Sequence, residues 1–372
     1  MQPAGSLQTR KVPGMKFIHT GDIHYGMHPD ADRPWGRERA EAVRDSLAAI
    51  VSCAAAEKTD LLLVAGDLFH RQPLIRDLKE VNSLFASIPD TRVVIIAGNH
   101  DRVRESSAVL SFPWAENVSY IYEETMQDVY FEDLNTTVTG FSWHSPEIRE
   151  PLLKGIAAPL DGHIHILLCH GGDVNHLPIT REDLSGSGFS YCALAHIHKP
   201  QLLSENAAFC GSPEPLDLTE TGKHGFYKGE IDPQTGKLTT LKFVPCAKTE
   251  YVSLIINVTT RSTNSELLNR IGELIRSRGP ENIYRLRLRG MRDPDIEFDL
   301  NSLQDRFHIA EIRDETEPQY DFHSLFKEHS SDMIGFFIRD LDRPDMSPID
   351  KKALFYGVDA LLRTQDERSG GK

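Results

Sequence analysis

The chain has 372 residues, of which 40% are hydrophobic and 26% are charged, a composition typical of a folded globular protein rather than a disordered one. Its net charge of −14 argues against tight nonspecific DNA binding through the overall electrostatic field. No apolar run reaches the roughly 20 residues of a membrane-spanning helix, and five widely spaced cysteines without a C-x-x-C pair exclude a cysteine zinc finger and favour a reducing cytoplasm.

The first part of the chain alternates predicted strands and helices. Residues 1–14 are polar and predict a flexible leader. Wholly apolar strands alternating with amphipathic helices are typical of a sheet covered on both faces. Predicted strands cover 16–20, 61–65, 93–97, 138–143, 164–169 and 191–195, and predicted helices cover 37–57 and 74–87. A predicted hairpin over 225–244 closes this part, which we place at residues 15–247.

A change of composition near Lys248 predicts a second, smaller domain over 248–320. A strand over 251–258 precedes a capping box at Thr263 and Glu266, and the helix that it opens ends before a strand over 284–290. That last strand alternates apolar residues with three arginines, Arg285, Arg287 and Arg289, which we call the arginine face. The arginine face is a candidate DNA-contacting surface, with a solvated strand face as the competing interpretation.

Helical periodicity returns over residues 321–372. Ser347 and Pro348 stand where an N-cap and first turn would be, before an apolar stripe. This stripe predicts either packing within the protein or a helix that docks a partner.

Chemically active side chains follow five of the predicted strands of the first part. In open α/β sheets, ligands gather at the carboxyl ends of strands, so we expect these side chains at one edge. The seven candidates for metal binding are Asp22, His24, Asp67, Asn99, His170, His196 and His198. A mixed set of carboxylate, imidazole and amide suits Mn²⁺, Fe²⁺ or Zn²⁺, and the lack of a thiolate disfavours a structural zinc site.

Seven candidates are too many for one ion, but they fill two sites if one carboxylate bridges. Two ions about 3.5–4 Å apart are the usual arrangement for phosphoester hydrolysis, in which a metal-bound water loses a proton and becomes the nucleophile. A histidine outside the metal shell can protonate the leaving oxygen. The sequence therefore predicts a two-metal phosphoesterase.

The ordered motifs D-x-H, GD, GNHD, H and GHxH resemble the signature of the calcineurin-like metallophosphoesterases over about residues 16–200. Within that superfamily the chain is similar to the SbcD-type DNA repair nucleases and their YhaO-like branch. The features behind this second resemblance are His70, three residues after Asp67, the segment 211–216, and the small domain that follows. The resemblance implies a four-layer sandwich of two mixed β-sheets flanked by helices, with an α+β DNA-capping domain and a helical C-terminal segment.

The resemblance also implies a role for each site residue. Asp22, His24 and His198 would bind one metal, and Asn99, His170 and His196 would bind the other. Asp67 would bridge the two ions, for which Mn²⁺ is the first expectation and Fe²⁺, Zn²⁺ or Mg²⁺ are alternatives. His100 would donate a proton or orient the phosphate, supported by His70. The chain departs from the family at Ala195, where glycine is usual.

Three classes of function remain open from the sequence. The leading hypothesis is a two-metal DNA exonuclease or endonuclease that acts at DNA ends in repair. The resemblance implies that it forms a homodimer and works with a coiled-coil SMC-type, SbcC-like ATPase. The alternative is a phosphodiesterase or phosphatase that acts on a small molecule or a phosphoprotein, and the third class is a scaffold without activity. A simple phosphatase has no need of an appended domain with an arginine face, which favours the nuclease.

Overall fold

The computed structural model describes residues 14–369, so residues 1–13 of the predicted leader lie outside the described residues. The chain forms two compact units. Unit 1 runs to Val252 and includes Glu281–Ile283, and unit 2 comprises Ser253–Pro280 and the chain from Tyr284 onward. Among the described helices, none combines the length and the apolarity needed to cross a membrane.

From Gly14 onward, where the structure describes it, unit 1 contains twelve strands and three α-helices. In chain order the strands are β1 (Met15–Thr20), β2 (Leu61–Ala65), β3 (Arg92–Ile96), β4 (Val118–Ile121), β5 (Gln127–Phe131), β6 (Thr136–Gly140), β7 (Ile164–His170), β8 (Tyr191–Ala195), β9 (Gln201–Ser204), β10 (Ala207–Phe209), β11 (Gly225–Ile231) and β12 (Leu238–Pro245). The helices are α1 (Gly36–Glu57), α2 (Ile75–Ala86) and α3 (Arg181–Leu184).

These strands form two six-stranded mixed sheets. The first sheet has the order β12-β11-β1-β2-β3-β4, in which β1 to β4 are parallel and β11 and β12 pair antiparallel. The second sheet has the order β5-β6-β7-β8-β10-β9, in which the four central strands are parallel and the two edge strands antiparallel. The predicted sandwich of two mixed sheets is therefore confirmed.

The main core of unit 1 lies between the two sheets. Phe17 and Leu63 of the first sheet belong to the same buried apolar cluster as Ile166 and Tyr191 of the second. Full burial of such side chains contributes about 1.5–3 kcal/mol each. The outer face of the first sheet packs on α1 and α2, and that of the second packs on the segments 141–158 and 177–189, of which α3 is the helical part. The inner strands are buried on both faces, as their continuous apolar runs predict.

Between Tyr251 and Ser369 the chain contains three strands and five helices. They are β13 (Tyr251–Val258), α4 (Asn264–Arg278), β14 (Ile283–Arg292), α5 (Asn301–Gln304), β15 (Ile309–Pro318), α6 (Phe322–Glu328), α7 (Met333–Leu341) and α8 (Pro348–Ser369). The sheet order is β13-β14-β15, and β14 and β15 are parallel. The predicted capping box opens α4, where the Thr263 hydroxyl accepts from the Glu266 amide at 3.3 Å. Helices α6 to α8 pack around Ile334, Ile338 and Leu354.

Candidate metal centre

The predicted metal ligands follow the carboxyl ends of five strands in unit 1. The first sheet contributes Asp22 and His24 after β1, Asp67 after β2 and Asn99 after β3. The second sheet contributes His170, which ends β7, and His196 and His198 after β8. The centre is thus assembled from both sheets, at the edge where parallel strands of an α/β fold collect ligands.

The backbone is strained at four of these positions. Asp22, His24 and Asp67 have left-handed φ values of 47°, 49° and 49°, and His196 has a φ of 97°. Such values in residues other than glycine cost of order 1–3 kcal/mol each and cluster at functional sites. Hydrogen bonds between the turns hold them in place: the amide of Asp22 donates to the Gly66 carbonyl at 3.1 Å, and that of His24 donates to the Asp67 carbonyl at 2.9 Å. The strain therefore accompanies a fixed arrangement of the side chains.

The first half of the centre brings Asp22, His24 and His198 together. One ligand atom from each of the three lies within 4.8 Å of the others. The Nε2 atoms of His24 and His198 are 3.2 Å apart. Spacings of this size are those of neighbouring ligands around a common cation with bonds of about 2.0–2.2 Å.

Asp67 lies between the two predicted halves. Its Oδ2 atom is 3.7 Å from His24 Nε2 and 3.5 Å from His170 Nε2. Its Oδ1 atom accepts the backbone N–H of His100 at 2.9 Å. One oxygen of this carboxylate is thus fixed by the protein, and the other faces both groups of ligands.

The second half of the centre contains Asn99, His170 and His196. His170 Nε2 is 2.9 Å from Asn99 Oδ1, and its Nδ1 atom is 3.0 Å from the Ala65 carbonyl, to which it donates. His196 lies beside His170, with ring centroids 5.2 Å apart. The Nε2 atom of His196, however, is 2.8 Å from Asp173 Oδ2. The ring atom of His196 that remains for a metal is therefore Nδ1.

The charges of the centre favour a bound cation. The side chains of Asp22 and Asp67 are buried, with 0% and 1% exposure, and within residues 14–369 no lysine or arginine forms an ion pair with either. Burial, reinforced by the charge of Asp67, raises the pKa of Asp22 to about 7, and burial raises the pKa of Asp67 as well. Two buried carboxylates without a lysine or arginine partner are costly to ionise, and a bound cation would offset that cost.

The histidines of the centre are mostly held neutral, the form that binds metals. Burial lowers the pKa of His170 to about 3, and burial and the neighbouring His170 lower that of His196 to about 4. Burial also lowers the pKa of His24 well below its usual value. Burial lowers the pKa of His198 too, but the hydrogen bond with Glu220 and the charge of Asp22 outweigh it and raise this pKa to about 9. The donor set and its charge fit divalent cations. Ligand atoms lie within 4.8 Å of one another in the group Asp22, His24 and His198 and in the group Asp22, Asp67 and His170, whereas His196 is grouped in the same way with Asp173 and His176.

His100 and His70 lie beside this ligand set. The Nδ1 atom of His100 is 3.2 Å from the backbone carbonyl of His70, so it donates there and leaves Nε2 as the atom available to a substrate. His70 thus contacts His100 through its main chain, while its own Nδ1 atom is 3.4 Å from His24 Nδ1. Asp101 fixes the loop by accepting the Gly98 amide at 2.8 Å and the Phe69 amide at 3.1 Å.

The departure at Ala195 is accommodated by the residue opposite. A methyl group added to Gly21 would lie 2.6 Å from the Ala195 Cβ atom, which is closer than two carbon atoms approach. Ala195 fits in the buried end of β8 because Gly21 has no side chain. The Ala195 carbonyl accepts the Gly171 amide at 3.1 Å, which ties the last motif to the end of β7.

The arginine face lies on β14 and forms ion pairs with β15. Arg285 is 2.6 Å from Glu311, and both Arg287 and Arg289 are 2.8 Å from Glu315. These glutamates neutralise part of the positive charge of the three arginines. That charge is the reason why the arginine face is a candidate for contacting DNA. Solvent screens such surface pairs, so they contribute little to stability.

Two carboxylates close to the centre were not identified from the sequence. Asp173 contacts His196, and Glu220 contacts His198 through Nδ1 at 2.6 Å. Asp173 is three residues after the predicted ligand His170, and this proximity in the sequence could have identified it. Glu220 lies in a loop and belongs to none of the five motifs. Its contact with His198 is therefore recognised only in the folded structure.

Comparisons with known proteins agree with these observations. The family profile described as Calcineurin-like phosphoesterase matches residues 15–209. The uncharacterized metallophosphoesterase YhaO of Bacillus subtilis (strain 168) is 26% identical, over 90% of this chain and 89% of its own. The DNA double-strand break repair protein Mre11 of Methanopyrus kandleri is 24% identical, over 89% of this chain and 80% of its own. The SbcD component of the nuclease SbcCD of Escherichia coli (strain K12) is 23% identical, over 61% of this chain and 67% of its own. The resemblance inferred from the motifs is confirmed, and the chain belongs to the calcineurin-like phosphoesterase family.

Proposed function

We propose that this phosphoesterase is a two-metal DNA nuclease that hydrolyses phosphodiester bonds at DNA ends in repair. The observation that carries the proposal is the position of Asp67, whose Oδ2 atom lies 3.5–3.7 Å from ligand atoms of both halves of the centre. Membership of the family implies divalent metal ions, and Mn²⁺ is the ion that we propose.

Each group of side chains has a task in this hydrolysis. Asp22, His24 and His198 would hold one ion, Asn99, His170 and His196 the other, and Asp67 both. When bound, such an ion pair lowers the pKa of a water molecule and stabilises charge on the phosphate.

His100 is placed to act on the substrate itself. The His70 carbonyl keeps its Nδ1 atom protonated, so Nε2 can orient a phosphate oxygen or protonate the leaving oxygen. The His100 amide also holds the Asp67 carboxylate, so the loop that carries the acid also positions the bridging ligand.

Two features support DNA as the substrate. The similarity to Mre11 of Methanopyrus kandleri, which is named a DNA double-strand break repair protein, extends over 89% of this chain, well beyond the residues that the family profile matches. The arginine face offers phosphate-binding groups, although each arginine would exchange a glutamate partner for a phosphate.

The test is cleavage of linear DNA with Mn²⁺ by the purified protein. Asp67→Ala and His196→Ala should abolish cleavage, whereas His144→Ala, which changes an exposed histidine outside the centre, should leave it unchanged. Rates on linear DNA, on cyclic nucleotides and on an aryl phosphate should rank DNA first. Activity that survives both substitutions would reject the metal centre, and a preference for the small phosphates would reassign the protein as a phosphodiesterase or phosphatase.

We also propose that the protein is a cytoplasmic homodimer that works with an SMC-type coiled-coil ATPase. The name of the SbcCD relative describes it as one subunit of a nuclease. Helices α7 and α8 expose Met333, Phe336 and Tyr356, which a partner could cover. Light scattering of the purified protein would test the dimer, and co-purification with a co-expressed ATPase of this class would test the partner. A monomer, or an ATPase that elutes separately, would remove the corresponding assignment.

A further inference from the structure

His196 and His198, the histidines of the last motif, each lie within hydrogen-bond distance of a carboxylate. The His198 Nδ1 atom is 2.6 Å from Glu220 Oε1, and the His196 Nε2 atom is 2.8 Å from Asp173 Oδ2. Asp173 and Glu220 come from two different loops, 23 and 22 residues away along the chain from their histidines. Neither belongs to the seven ligands.

Both carboxylates are themselves held in place. Glu220 Oε2 accepts the Leu216 amide at 2.8 Å and the Ser212 hydroxyl at 3.4 Å, and its side chain is 13% exposed. Asp173 Oδ1 accepts the amides of Asn175 and His176 at 2.8 and 3.0 Å. Each histidine therefore meets a carboxylate with a fixed orientation.

These contacts decide which ring nitrogen carries the proton. An ionised carboxylate only accepts hydrogen bonds, so the ring nitrogen that faces it must be the N–H group. His198 then keeps Nε2 for a metal, in agreement with its 3.2 Å approach to His24 Nε2. His196 keeps Nδ1 instead. In the neutral form that binds a metal, the two histidines, two residues apart, are thus opposite tautomers.

We propose that Glu220 and Asp173 are positioning residues that fix these tautomers and thereby set the affinity of the two metal sites separately. Glu220 acts on the site of Asp22, His24 and His198, and Asp173 acts on the site of Asn99, His170 and His196. Hydrogen bonds from a carboxylate orient a metal-binding imidazole and make it more basic, and their loss costs about 10–100-fold in metal affinity. This inference rests on the proposed metal centre.

The test is a Mn²⁺ titration of the full chain, followed by the electron paramagnetic resonance signal of free Mn²⁺. Wild-type protein should bind two equivalents. Glu220→Ala should weaken one equivalent by about 10–100-fold and leave the other unchanged, and Asp173→Ala should weaken the other equivalent. Glu220→Gln, whose amide oxygen still accepts the Nδ1 proton, should recover part of the loss. Glu205→Ala, which removes an exposed carboxylate, is the matched control and should bind like wild type.

A second measurement needs no variant at Asp173 or Glu220. In protein loaded with Zn²⁺ and labelled with ¹⁵N at histidine, long-range proton–nitrogen spectra should show His198 protonated at Nδ1 and His196 at Nε2. The two signals are assigned by replacing each histidine in turn. Equal tautomers, or alanine variants with wild-type Mn²⁺ affinity, would overturn the positioning roles while leaving the metal centre intact. A wild-type protein that binds no Mn²⁺ would instead overturn the metal centre and this inference with it.

Discussion

The replacement Gly98→Ala tests the proposed bridging role of Asp67 without substituting any predicted ligand. Gly98 lies in the loop after β3, and a methyl carbon added to it would lie 2.7 Å from the Asp67 amide nitrogen and 2.8 Å from Asp67 Cγ. Carbon atoms in contact are normally at least about 3.5 Å apart, so the carboxylate would have to retreat by about 0.7 Å. The backbone of Asp67 is already in the left-handed region and has little freedom to follow.

The expected loss follows from that displacement. A misplacement of about 1 Å at a reacting centre can lower the rate by about 10²-fold, which corresponds to about 2.7 kcal/mol in the barrier. The same movement would strain the hydrogen bond from the His100 amide to Asp67 Oδ1. We therefore expect weaker Mn²⁺ binding and a fall in kcat of about 10²-fold.

The assay is Mn²⁺-dependent hydrolysis of linear DNA, together with a Mn²⁺ titration and a thermal melt. Gly272→Ala in α4 is the matched control, since its methyl carbon would lie 3.4 Å from the flexible Arg276 guanidinium group. That control should keep full activity and gain about 0.5–1 kcal/mol of stability from the helix preference of alanine. Gly98→Ala with wild-type kcat and wild-type Mn²⁺ affinity would show that the position of the Asp67 carboxylate controls neither.

Three further predictions concern the acid, the pH dependence and the arginine face. His100→Ala should keep both Mn²⁺ equivalents but lose about 10²–10⁴-fold in cleavage, and a loss of metal like that of Asp67→Ala would make His100 a ligand instead. Because burial raises the pKa of Asp22 to about 7, protons compete with cations below that pH. Calorimetric Mn²⁺ affinity should therefore fall from pH 8 to pH 6, and a flat profile would contradict this. Reversal of the arginine face to glutamate should weaken DNA binding and flatten its salt dependence by about 0.9 in slope per lost phosphate contact, whereas an unchanged slope would leave those residues a structural role.

The sequence predicted best those strands that are buried on both faces. Strands β2 and β8 match their predicted bounds at both ends, because an unbroken apolar run stops at Gly66 in one case and His196 in the other. The edge strands β5 and β9 were not predicted, since their half-exposed residues show no apolar run. Strand β15 was also missed, because its acidic residues disfavour a strand until β14 supplies arginines opposite them.

The residues of the candidate site that directly follow a strand could be predicted from the sequence, because the ends of those strands could be recognised. The carboxyl ends of parallel strands meet at one edge, so a list of polar residues after each strand already contained Asp67 and its neighbours. The contacts of Asp173 and Glu220 could not be derived in this way, because loop conformation and not sheet geometry brings them to the histidines. The ion pairs of the arginine face could not be predicted either. They depend on the register between β14 and β15, which no local sequence pattern specifies.

The division of the ligands between the two sheets has a mechanical consequence. Most of the contact between the two sheets is apolar and therefore nondirectional, and the buried hydrogen bond between His19 Nδ1 and the Tyr191 hydroxyl adds a polar link. At the ligand edge, two bound cations would link the sheets. Asp22 and Asn99 would bind them from the first sheet, and His170 and His198 from the second. Metal binding would therefore stiffen the strand ends that meet at this edge, so in the proposed nuclease the surface around the centre would become rigid only when the cations are bound.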